Sequence, residues 1–79
     1  MNLPEIDKKA TGENIKRLMR KRHLQIVDIQ NALRVSSATN IYAWCRGDMM
    51  PRVDQLVKLS AILDCSIDEI IVRGGGENV

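Results

Sequence analysis

The chain contains no phenylalanine and only one tryptophan and one tyrosine, so aromatics make up 3% of it. A core without aromatic bulk must be aliphatic, built from Leu, Ile, Val and Met. Helices packed on helices suit that composition better than a small sheet, which draws on aromatic and β-branched cross-strand pairs. Histidine occurs once, as His23, and cysteine twice, as Cys45 and Cys65. These three lack metal-type spacing and cannot complete a Cys/His zinc site. Two cysteines are also too few for a secreted disulfide scaffold, and a reducing cytoplasm is the expected location. No apolar run approaches the roughly 18 residues of a membrane span, and no signal-peptide pattern opens the chain. Neither a glycine-rich phosphate loop, nor a nucleophile elbow, nor a metal-ligand pair is present. Adjacent Asp68 and Glu69 could suggest paired carboxylates, but helix capping explains Glu69 and the helix dipole explains Asp68. No enzymatic activity, cofactor, metal or small-molecule ligand is therefore expected.

What is present fits one small globular domain: 79 residues, 44% hydrophobic and 28% charged, with a net charge of +2. The charge is unevenly spread. Residues 1–34 carry eight basic and four acidic side chains, a net +4, whereas residues 35–79 carry four and six, a net −2. One positive face opposed to a neutral or acidic side is a pattern suited to a polyanion, although solvated helix faces also carry charge runs.

Hydrophobic spacing predicts five helices. Residues 1–10, with Pro4 favouring extended geometry at Leu3, read as an arm. A first helix is expected after Thr11 as N-cap, with Glu13 in its first turn and Ile15, Leu18, Met19 and Arg22 at helical spacing. A second runs from about Gln25 to Leu33 with Ile26, Ile29, Ala32 and Leu33 inward. After a break at Arg34, Val35 and Ser36, a third is expected from about Ser37 to Arg46, with Ala38, Ile41, Trp44 and Cys45 inward. Gly47 and Pro51 close it. A fourth spans about Val53 to Leu63, its seam Leu56, Leu59, Ser60 and Leu63 widened by Val57 and Ile62. A short fifth opens on the capping box Ser66–Glu69 ahead of Ile70 and Ile71. The expected organisation is thus an arm at 1–10, a helical domain at 11–73 and a flexible tail at 74–79.

Two short helices joined by a break of about three residues form a helix-turn-helix, whose second member enters the DNA major groove. From Thr11 to Val72 the chain resembles the phage-repressor and Cro-like (XRE-type) helix-turn-helix family. The resemblance is carried by Ile15, Leu18, Leu24, Ile29, Leu33, Val35 and Ser36, then by Ile41, Trp44, Gly47 and Pro51. Leu56, Leu59, Leu63 and the run from Ser66 to Ile70 complete it. It implies an all-α, compact five-helix, lambda-repressor-like DNA-binding domain acting as a transcriptional repressor, commonly as a homodimer on a two-fold site of double-stranded DNA. The chain departs from the family at His23 and Arg34, where turn glycines are usual, and at Ile26, where a phosphate-holding Gln is usual. One extra residue stands before Ile41. Members often pair an Arg late in the first helix with a Glu after the Trp of the third; Met19 and Cys45 occupy those positions here. Joint replacement of an ion pair by apolar groups can be nearly neutral, so Met19 and Cys45 are expected to meet, with Cys45 structural.

The start of the third helix then supplies the expected base contacts: Ser37, Thr39, Asn40, Tyr42 and Ala43. Ser and Thr bond several base edges, Asn pairs bidentately with adenine, and an Ala methyl meets the methyl of thymine. Expected phosphate contacts are Gln25, with the amides opening the second helix, and Arg46, joined by Lys16, Arg20 and Arg52. The fourth and fifth helices, with Ile67, Ile71 and Val72, are the expected dimer contact, with Leu3 or Ile6 of the arm assisting. The alternative on the same fold is a protein-interaction module, antitoxin-like or repressor-binding, with little DNA affinity of its own.

Overall fold

Five helices follow one another through residues 3–74, the part of the chain that the computed structural model describes: α1 (Lys8–Lys21), α2 (Ile26–Leu33), α3 (Thr39–Arg46), α4 (Val53–Leu63) and α5 (Ile67–Ile70). Among the described residues the only β pairing is a single antiparallel bridge between Ile6 and Arg73. The all-α class and the five-helix order match the expectation from the hydrophobic pattern.

One aliphatic cluster holds the helices together: Ile15, Leu18 and Met19 from α1, Ile29 from α2, Ile41, Trp44 and Cys45 from α3, Leu56, Leu59 and Leu63 from α4, and Ile70 from α5. Two inward assignments are corrected, because Ala32 and Val57 are exposed. At 100° per residue the half-buried Ile26 and Leu33 lie on one side of Ile29, and Ala32 lies on the other. Val57 is likewise about 100° away from Leu56, off the Leu56–Leu63 seam.

The helix ends explain why the breaks are hard to read. Helices α1 to α4 each stop at a left-handed residue: His23 (φ 59°), Arg34 (φ 57°), Gly47 (φ 84°) and Asp64 (φ 54°). Each end is closed by the same two backbone bonds. At α1, His23 N–H donates to the Arg20 carbonyl and Leu24 N–H to the Met19 carbonyl; the pattern recurs at Arg34–Val35, Gly47–Asp48 and Asp64–Cys65. These bonds satisfy carbonyls that a helix end leaves orphaned. Only one of the four turns uses the residue type that adopts this conformation freely, and a side chain there costs about 1 kcal/mol or more. Arg34→Gly is expected to raise stability by roughly 0.5–1 kcal/mol, the glycine's larger unfolded-state entropy offsetting part of the relief. Denaturant unfolding of the two proteins measures it.

The helix starts required more correction. Helix α1 begins at Lys8, with Asp7 as its N-cap accepting from Ala10 N–H at 2.9 Å, so residues 8–10 are helical and not part of an arm. Thr11 is not a cap. It sits inside the helix, 1% exposed, and its hydroxyl accepts from Val72 N–H at 2.9 Å. Glu13 consequently lies beyond the first turn, where it pairs with Lys16 at 3.1 Å. Asp7 N–H donates to the Val72 carbonyl at 2.8 Å and Gly74 N–H to that of Glu5 at 2.9 Å, joining the two end segments. Residues 75–79 of the expected tail lie outside the described residues.

The other helices start closer to the expected positions. Gln25 is the N-cap residue of α2, the expected Ser66–Glu69 box opens α5, and Ala38 is the N-cap residue of α3, with Ser37 Oγ accepting from Thr39 N–H at 3.1 Å. Hydrogen bonds from the Ser66 backbone and side chain hold the Glu69 carboxyl below the ordinary glutamate range. This cap is therefore kept above the ordinary pKa and lost as the pH falls through the lowered one. Arg22 reaches across to α4, where Nε donates to the Leu63 carbonyl at 3.0 Å.

Candidate nucleic-acid interface

Helix α3 is held from behind and open in front. Ile41, Trp44 and Cys45 are buried, and the backbone of α1 at Gly12 lies directly against the Trp44 and Cys45 carbonyls. That close approach fixes the pose of α3 on the longest helix of the domain. On its outward side Thr39, Asn40, Tyr42 and Arg46 are exposed, Tyr42 by 51%. Ser37, just ahead of the helix, is exposed too, and its hydroxyl lies 2.8 Å from that of Thr39. Each of these two hydroxyls keeps hydrogen-bonding capacity for a base edge.

Ala43 does not belong to that surface. It is 7% exposed, so its methyl cannot meet a base in the groove, and it is withdrawn from the expected base contacts. One turn on, a Cβ at Gly47 would meet the Lys9 backbone at 2.6 Å. Ala43 therefore shares the side of α3 that is turned towards the start of α1.

The expected phosphate ligands fall into two groups. Lys16, Arg20 and Gln25 are brought together with Tyr42 around a groove of about 340 Å³, whose apolar lining is Met19, Leu24, Ile26 and Cys45. Gln25 is exposed at the N-cap of α2, which leaves its side-chain amide N–H groups open to an anion there. Its backbone N–H is already taken, at 2.7 Å, by the Asp28 carboxylate, which also places a negative charge in that first turn. Arg46 and Arg52 stand apart from this groove. Arg52 is exposed at the entry to α4, and Arg46 Nε lies 2.8 Å from the Asp48 carboxylate.

Met19 and Cys45, which stand where the resembling family often has an ion pair, both line this groove and both belong to the core cluster. Burial pushes the Cys45 thiol up from its usual value, against the lesser pull of Lys16 and Arg46. It therefore remains a protonated, poorly nucleophilic thiol.

Asp48, which pairs with Arg46 at the protein surface, was missed by the sequence reading. The two are separated by the left-handed turn at Gly47, and helical periodicity brings i and i+3 or i+4 together, not i and i+2. Only the turn geometry reveals the pair.

A protein-family model described as helix-turn-helix matches residues 15–70. No curated protein and no solved structure matches the chain.

Proposed function

The chain belongs to the helix-turn-helix family, and on that premise we propose that it is a non-enzymatic, cytoplasmic transcriptional repressor that reads double-stranded DNA as a homodimer. The observation that carries this reading is the open face of α3: Ser37, Thr39, Asn40 and Tyr42 are exposed on a helix fixed from behind by α1. Placed in the major groove, Asn40 donates to and accepts from adenine, and the two hydroxyls accept or donate as the neighbouring bases require. Tyr42 adds a phenol one turn further along. None of these four residues is an arginine aimed at guanine, so the readout is modest and A·T-tolerant.

Lys16, Arg20 and Gln25 hold one stretch of backbone at the rim of the groove beside α3, and Arg46 with Arg52 holds another. A lone domain of this size reads only a few base pairs, so specificity requires two half-sites about one helical turn apart. Among the described residues no helix is long and apolar enough to cross a membrane.

Selection of bound sites from a random duplex pool tests the reading. Wild-type protein is expected to enrich a two-fold site, and Asn40→Ala to lose preference at one position of each half-site at a cost of about 1–3 kcal/mol on the preferred base. An Asn40 variant with unchanged preference would remove Asn40 from the readout. A wild-type protein that enriches nothing would favour the protein-interaction reading of the same fold.

A further inference from the structure

The surface opposite in character to the readout face is a stripe on α4. Val53 is 76% exposed and Val57 54%, and they are four residues apart, followed at the same interval by exposed Ala61. Residues at this spacing lie along one line of a helix. Along one edge of that line stand Asp54 and Lys58, a turn apart, both exposed and neither in an ion pair among the described residues. We propose that this stripe is where a second copy of the chain docks, the two α4 helices packing antiparallel around a two-fold axis beside Val57.

The charge pattern selects the occupant. When two copies of a helix pack antiparallel, residues on the same edge face each other, and positions on either side of the axis exchange partners. Val57 then meets its own counterpart and Val53 meets Ala61, while Asp54 of one copy lies two residues, about 3 Å along the helix, from the level of Lys58 of the other, within reach of the long lysine side chain. The surface is thus complementary to itself in both charge and apolarity. Of the residues expected from the sequence for this contact, Ile67 and Ile71 are partly buried against the monomer's own core, whereas Leu3 and Ile6 are exposed.

A helix of 11 residues is about 16 Å long, so its face alone falls short of the roughly 800 Å² per partner of a standard stable interface. The pairing is accordingly weak in free solution and completes when two copies occupy adjacent half-sites. This inference rests on the homodimer reading above and names its surface.

Single-cysteine cross-linking tests it without relying on DNA. Val57→Cys is compared with Val27→Cys, an exposed control on α2 (51% against 54%), and with the wild type. Each full-length protein is treated at high concentration with a short bis-maleimide. Covalent dimer is expected at least tenfold more from Val57→Cys than from the control. Adding Lys58→Asp should cut that yield about tenfold by setting like charges against each other at two places, and adding Asp54→Lys as well should restore it. Equal yields from the two cysteines would overturn the proposal, as would a yield indifferent to Lys58→Asp. DNA binding by the same proteins is measured separately. Loss of the α4 contact with DNA binding intact removes only this surface, whereas specific cross-linking without any DNA binding supports the surface and counts against the regulator reading.

Discussion

Replacing Gly12 with Ala is expected to destabilise the domain by about 3 kcal/mol. In an ordinary helix interior the same change is favourable by about 1 kcal/mol, because alanine loses less backbone entropy, so even the sign is diagnostic. Here the added methyl would collide with the carbonyl oxygens of Trp44 and Cys45 and lie 2.9 Å from the Cys45 carbonyl carbon. All three are backbone atoms, which no side-chain rotation can move aside. Relief requires α1 and α3 to separate, and with them the packing of Ile15, Met19, Trp44 and Cys45. Thermal and denaturant unfolding of Gly12→Ala against the wild type provide the measurement. Unchanged or raised stability would show that the two helices are not in backbone contact. Because α3 would be displaced with its support, the fraction of protein that stays folded should also bind DNA less tightly.

Arg46→Ala is expected to weaken binding to every DNA sequence by roughly tenfold and to reduce the salt dependence by about one phosphate. Asp48→Asn should do the opposite. The Asp48 carboxylate holds Arg46 at 2.8 Å, so engaging a phosphate means exchanging one anion for another while a like charge remains beside the DNA. Removing that charge should tighten binding by roughly two- to fivefold at low salt, the range of an exposed pair, and the gain should shrink as salt rises. Fluorescence anisotropy on one duplex over a salt series measures both variants. An Arg46→Ala protein with wild-type affinity and slope would remove Arg46 from the interface and leave its pair with Asp48 as a local cap of α3.

The sequence was most legible where burial decides. The stripes of Ile15, Leu18 and Met19, of Ile41, Trp44 and Cys45, and of Leu56, Leu59 and Leu63 are all in the core, because an aliphatic residue at helical spacing has one physical use. It was less legible where local geometry decides. His23, Arg34 and Asp64 adopt left-handed turns that their side chains do not advertise, and α1 starts early because Asp7 outcompetes Thr11 as a cap. Thr11 carries the same hydroxyl that would cap a helix and spends it on Val72, a partner 61 residues away that no local pattern announces. At the candidate interface the exposed residues Ser37, Thr39, Asn40 and Tyr42 were foreseeable from α3's buried stripe. The burial of Ala43 was not, since it arises from the crossing of α1 over α3.

As a DNA-binding regulator the chain would present the uncovered face of α3 to DNA while basic residues on the flanks hold the backbone. Binding of the purified protein to a random-sequence duplex is therefore measured across a salt series. The expected result is measurable binding at 50 mM salt, with log affinity falling linearly against log salt at about −0.9 per phosphate engaged. A fully folded protein that shows no binding at that salt would contradict it.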